Sequence, residues 1–111
     1  MIQAIFWETS KYKHIEKFQI EGHADYAEYG LDIVCAAVSA LTITIVNAMT
    51  EILDVSVKYT EQDGKILCEI PFLINDDKNS KIQLLAHTLL MGLEDIAKEH
   101  SDSINIKTIT K

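Results

Sequence analysis

"IVCAAVSALTITIVNAMT", residues 33 to 50, decides the fold, because its 18 residues run without a charge. That length approaches the roughly 20 apolar residues of a membrane-spanning helix. Against a span stand Cys35, Ser39, Thr42, Thr44, Asn47 and Thr50 within it. Asp32 and Glu51 flank the stretch, and no cluster of positive charge orients it. It is therefore read as a helix from about Asp32 to Asp54, buried by its own sheet or by a partner subunit. At roughly 100° per residue, Cys35, Ser39, Thr42, Asn47 and Thr50 fall on one side. Ile33, Ala37, Leu41, Ile45 and Met49 fall on the other and are expected to face the core.

Strand signals lie to either side. "IQAIFWE" (Ile2 to Glu8) and "IEKFQIE" (Ile15 to Glu21) are apolar and partly alternating, and are expected to pair as a hairpin. "VSVKYTEQDGKILCEI" alternates Val55, Val57 and Tyr59, turns at Gln62-Asp63-Gly64, and returns through Ile66, Cys68 and Ile70. Pro71 ends regular pairing. After "NDDKNS", read as a helix cap rather than a cation loop, Ile82, Leu85, Leu89, Leu93 and Ile96 mark a second helical stripe. "INIKTI" (Ile104 to Ile109) closes as a strand. The order ββαββαβ predicts an α+β fold, one domain over residues 1–111, its sheet packed by two helices.

The chain has 111 residues, 48% apolar and 24% charged, as expected of one globular domain. Its 17 carboxylates outnumber 10 basic residues, giving a formal charge of −7. No basic patch is present to displace counterions from phosphates, so no direct nucleic-acid partner is expected. A basic protein or peptide would be drawn by this field. "MIQAIFWETSKYKHI" lacks the basic start and sustained apolar run of a signal peptide. The two cysteines are thus read as cytoplasmic thiols, and no membrane association is expected.

Cys35 and Cys68 sit in different contexts. Asp32 suits an N-cap, which would put Cys35 at about the third helical position. There the unpaired backbone N–H groups and the macrodipole favour an anion, and so a nucleophilic thiolate. His23, at the end of the second strand, can take the thiol proton or stay charged beside the thiolate. Gly22 lets the backbone turn there. A loop bounded by Gly22 and Gly30 can close over a substrate, with Tyr26 and Tyr29 as candidate contacts. The bland alternative treats Cys35 as a small buried hydrophobe and His23 as a surface residue. Metal binding has less support, because His23, Asp25 and Cys35 lack a metal-ligand spacing, and no cofactor is expected. Cys68, between Ile66 and Ile70, reads as a core thiol. His14, His87 and His100 read as solvated.

"GHADYAEYGLDIVCAAVS" resembles the signature of the bacterial ribosomal-processing cysteine proteases, the Prp family. The match falls on Gly22, His23, Ala24, Gly30, Asp32, Ile33, Val34, Cys35, Ala36 and Ser39. The resemblance extends over essentially the whole chain. It implies that Cys35 is the nucleophile and His23 its base. It implies removal of a short N-terminal extension from a basic large-subunit ribosomal protein, L-twenty-seven, by a homodimer whose loop between His23 and Cys35 rearranges around the peptide. Asp32, capping the helix or orienting His23, and Ser39, one turn beyond Cys35, are supporting candidates. Backbone N–H groups near Cys35 are the expected oxyanion donors. The rival readings are a non-catalytic ribosome-associated binding module and a thiol redox sensor. The sensor lacks a good resolving thiol, since Cys68 lies in a core strand.

Overall fold

In strand β1 (Ile2–Glu8), Ile2, Ala4 and Phe6 are buried while Gln3, Ile5 and Trp7 take the opposite face. That period of two fixes which side of the sheet meets the core. The computed structural model describes residues 1–22 and 31–111, the side chains of Leu31 and Asp32 excepted. β1 pairs antiparallel with β2 (Ile15–Glu21), placing Ala4 opposite Ile20 and Phe6 opposite Phe18, with the two rings stacked at 5.5 Å. A bulge between Trp7 and Glu8 shifts the register. β3 (Lys58–Gln62) and β4 (Lys65–Glu69) form the second hairpin. Its turn is Asp63-Gly64, both at positive φ (53° and 75°), as a two-residue hairpin loop requires. β3 is shorter than its alternation suggested, since Val55 and Val57 precede the paired segment.

β5 (Ile104–Thr110) returns beside β1 and runs parallel to it, completing the order β3-β4-β2-β1-β5. Both helices contribute to one core with the Ile2–Ala4–Phe6 face. The other face is half open, with the Lys17 ammonium 4.3 Å from the Trp7 ring centroid and Lys58 paired to Glu69 at 3.6 Å. The single α+β domain expected from the element order is the fold observed.

α2 (Asp76–Glu99) begins as its cap signal predicts, with the Asn75 side chain accepting from the Lys78 N–H at 2.9 Å. Two further side chains of α2 latch neighbouring backbone. Buried Asn79 accepts from the Leu73 N–H at 3.0 Å. The Gln83 amide both accepts from the Ile15 N–H (2.7 Å) and donates to the Ile15 carbonyl (2.9 Å). Ile82, Leu89 and Leu93 are buried, as their stripe predicts.

α1 (Leu31–Asn47) and the five-residue π-turn Ala48–Ile52 correct the expected helix in three ways. The α-helical run ends at Asn47. Beyond it the Leu53 N–H donates to the Ala48 carbonyl at 3.1 Å, a wider turn that leads through left-handed Asp54 into Val55. The helix also begins at Leu31, one residue before Asp32, so Asp32 is its second residue and not its N-cap. Leu is a good helix former, and nothing in its covalent structure bars it from the first position.

The third correction concerns the faces. The core receives Val34, Val38, Thr42, Ile45, Val46 and Met49, while Ile33 is 65% exposed and Ala37 is exposed. A stretch apolar all round carries little periodic signal, so its rotation is set by neighbours. Gly92 of α2 is one, because a Cβ there would stand 2.5 Å from Leu41 Cδ2. Residues Ile33–Ile52 are long and apolar enough to cross a membrane by length and composition, yet here they pack on the sheet and α2.

Candidate active site

Cys35 is the fifth residue of α1, not the third. In a regular helix the N–H of the fifth residue bonds the carbonyl of the first, so donors without intrahelical acceptors belong to the residues before it. The backbone donors near Cys35 that lack intrahelical acceptors thus belong to the first helical turn. The thiol is half-buried and packs against the edge of the core. Ser39, one turn on, is half-buried as well.

The helix rotation shows which way this pair opens. At about 100° per residue, Cys35, Ser39, Ile43 and Val46 fall within an arc of roughly 80°. Leu41, which meets Gly92 of α2, lies about 120° round the other way. Cys35 and Ser39 thus occupy the flank of α1 turned away from α2, between the core stripe and solvent. Thr42, one position further toward the core, is wholly buried.

Gly22 directly follows strand β2 and precedes His23. Its φ of 85° belongs to the left-handed region, and a Cβ there would lie 2.8 Å from the Met1 carbonyl oxygen. Its N–H donates to the Gly64 carbonyl at 3.1 Å. A glycine is required here both for backbone shape and for the close approach of β1. His23, Asp25, Tyr26, Glu28, Tyr29 and Gly30 lie outside the described residues, as does the side chain of Asp32.

Cys68 has the opposite character to Cys35. It is fully buried on β4 between Phe18 of β2 and Tyr59 of β3. Desolvation, and secondarily the charge of Glu69, pushes its pKa up to about 12. A thiol held protonated in this way is chemically inert at neutral pH. The core-thiol reading is thereby borne out, and neither cysteine is in a disulfide.

Of the remaining histidines, His14 and His87 depart from the solvated reading, while His100 keeps to it. His14 lies half-buried between Tyr12 and Phe72, with ring centroids 5.8 and 5.4 Å away. His87 places Nε2 2.8 Å from the Lys13 carbonyl, where it donates to the loop joining β1 and β2. His100 is exposed and caps α2 through its backbone N–H to the Ile96 carbonyl. Among the described residues, no group of three or more His, Cys, Asp or Glu could hold a metal ion. The sequence reading placed Thr50 on the Cys35 side of the helix but did not single out Ile43 and Val46, which share that wall. These residues border a groove against β3, and only the partial exposure of an apolar residue such as Ile43 marks it.

Comparison with known proteins agrees in sequence and in shape. The model of the family described as cysteine protease Prp matches residues 1–105. The ribosomal processing cysteine protease Prp of Bacillus subtilis (strain 168) is 33% identical over 114 residues, covering 97% of each chain. The essential ribosomal processing protease Prp from S. aureus, solved with a substrate peptide, superposes with a TM-score of 0.85. It is 27% identical, over 97% of this chain and 99% of that one. The same S. aureus protease with a covalently linked product peptide gives a TM-score of 0.82 at 28% identity and the same coverage.

These relations define the class: an α+β cysteine protease, a hydrolase. Within that class, the chain belongs to the Prp family of ribosomal-processing cysteine proteases. The readings as a non-catalytic binding module and as a redox sensor fall with that membership.

Proposed function

We propose that this chain removes the short N-terminal extension of the large-subunit ribosomal protein L-twenty-seven, acting as a cytoplasmic homodimer without a cofactor. The Cys35 thiolate attacks the scissile carbonyl carbon after His23 has taken the thiol proton. The carbon–nitrogen bond then breaks, His23 returns the proton to the leaving amine, and the extension stays on Cys35 as a thioester. Water, deprotonated by His23, hydrolyses the thioester and restores the thiol. Asp32 and Ser39 support the pair. Tyr26 and Tyr29, in the segment bounded by Gly22 and Gly30, contact the peptide.

The observation that carries this reading is the contrast between the two thiols. Cys35 is partly open on the flank of α1, whereas Cys68 is buried and held protonated. The covalently linked product peptide on the S. aureus relative is consistent with acylation of a cysteine. The formal charge of −7 suits a basic substrate. The test is mass spectrometry of full-length precursor incubated with the wild-type protein and with Cys35→Ala. Wild type should shorten the precursor at one bond, and the variant should leave it intact. Cleavage by the variant at the wild-type rate would refute the assignment.

A further inference from the structure

We propose that the open face of the sheet binds single-stranded RNA, with Trp7 as the platform on which a base stacks and Lys17, Lys65 and Lys107 as phosphate contacts. This surface is separate from the proteolytic site, and its ligand does not depend on the processing reading above.

No run of the sequence is strongly basic, but the strand register gathers lysines from four different strands onto one face. Trp7 of β1 lies across from Lys17 of β2, Lys17 from Glu69 of β4, and Glu69 from Lys58 of β3. Gln3 lies across from Glu21, and Glu21 from Lys65 of β4. Ile5 lies beside Lys107 of β5. Gln3, Ile5 and Trp7 point away from buried Ile2, Ala4 and Phe6. Residues directly across a ladder share a face, so all four lysines stand on the side of the sheet away from the core.

These strand positions carry four of the chain's ten basic residues and two of its seventeen carboxylates, which makes the face +2. The other six basic residues and fifteen carboxylates leave the rest of the chain at −9. Among the described residues, Lys58 is paired to Glu69 at 3.6 Å, while Lys17, Lys65 and Lys107 are in no ion pair. Two carboxylates border the face. Asp63 lies in the β3–β4 turn near Lys65, and Glu16, next to Lys17, is matched by Lys111 at 2.9 Å. A local charge opposite to that of the whole chain fits an anionic partner.

The uncharged residues of the face select among anions. Trp7 is half-buried, with the Lys17 ammonium 4.3 Å from its ring centroid. When Lys17 swings to a phosphate, the ring is freed for a base, and any base can stack there because every base has a π-face. Gln3, Gln19 and Asn105 stand on the same face and offer amide donors and acceptors to base edges. An acidic peptide or a lipid headgroup would use the lysines and leave the ring and the amides idle. Five strands about 4.8 Å apart, each with three outward residues, give a platform of about 19 Å by 13 Å, room for a few nucleotides. α1 packs on the opposite side of the sheet, so RNA here and peptide at Cys35 do not compete.

The experiment follows the binding of labelled oligouridine, an unstructured RNA, by fluorescence polarisation. Wild type should bind with a Kd of about 1–100 µM, and a fourfold rise in salt should weaken binding about tenfold to twentyfold, the slope for three phosphate contacts. Lys17→Glu combined with Lys107→Glu should weaken binding at least about tenfold. Trp7→Leu should do the same through the loss of one stacked base, to about tenfold. The lysine variant removes no buried group and keeps the test decisive should Trp7→Leu fail to fold. Lys81→Glu combined with Lys98→Glu makes the same change in net charge on the exposed surface of α2, and should leave the Kd within about threefold. Absence of binding by wild type in the stated range, or equal losses in the two double variants, would overturn the assignment. Polyglutamate or phosphatidylglycerol vesicles that displace the label as well as unlabelled oligouridine does would show a bare cationic patch, and would overturn it too.

Discussion

Replacing Thr42 by Val should make the protein more stable. Thr42 is wholly buried, and its hydroxyl has no hydrogen-bond partner among the described residues, not even the carbonyl one turn earlier on α1. A buried hydroxyl in that state costs about 1–3 kcal/mol of desolvation. Val keeps the branched shape and has a similar helix propensity, so the exchange removes the polar group without opening a cavity. Some repacking around the new methyl group is unavoidable, which trims the expected gain to about 1–2 kcal/mol. At about 2.1 cal/mol/K per residue of unfolding entropy, a chain of 111 residues gains about 4 °C in Tm per kcal/mol. Urea denaturation should show a higher midpoint with an unchanged slope, and a thermal melt should rise by about 4–9 °C. Thr42→Ser, which keeps the hydroxyl and loses the methyl, should instead lose about 1 kcal/mol. If Thr42→Val is destabilised by more than about 1 kcal/mol, the hydroxyl is hydrogen-bonded in solution. The orphan assignment would then be wrong.

Two further outcomes follow from single residues. Cys68 has its pKa raised from 9.0 to about 12, so folding favours its protonated form. That contribution is complete below pH 9 and is lost as pH rises toward 12, because the unfolded chain ionises there first. Wild type should therefore lose more stability between those pH values than Cys68→Ala does, and parallel pH profiles in urea denaturation would refute it. Gly22→Ala should cost about 1–3 kcal/mol from the left-handed φ alone, with more from the Met1 carbonyl in its path, and an unchanged urea midpoint would contradict the geometry.

The sheet was legible because its signals are local. Ile2, Ala4 and Phe6, the Asp63-Gly64 turn and the Asn75 cap each carry their own chemistry in a few residues, and the structure uses each as read. The rotation of α1 was not legible, since a helix apolar on every side leaves the choice of core face to distant partners such as Gly92. Thr42 was placed on a polar flank and is instead the most enclosed hydroxyl of the helix, because Val38 and Ile45 beside it outweigh one oxygen. The Cys35 motif identified the family, but the groove lined by Ile43 and Tyr59 needs β3 brought alongside α1. Those two residues are 16 apart in sequence, and no short motif spans that gap.

The parallel pairing of β1 with β5 has a mechanical consequence. Ile2 lies beside Ile104 and Glu8 beside Thr110, so the two strands point the same way. Bonds from the Ile2 N–H to the Ser103 carbonyl (2.8 Å) and from the Lys111 N–H to the Glu8 carbonyl (3.0 Å) extend the ladder at each end. Tension applied at Ile2 and at Thr110 pulls these strands past each other along their length. The load is then shared across the whole ladder at once, where an antiparallel terminal pair held at one end would open one bond at a time. The domain is built to resist stretching from its two ends, and its weak direction is the peeling of β3 from the far edge of the sheet.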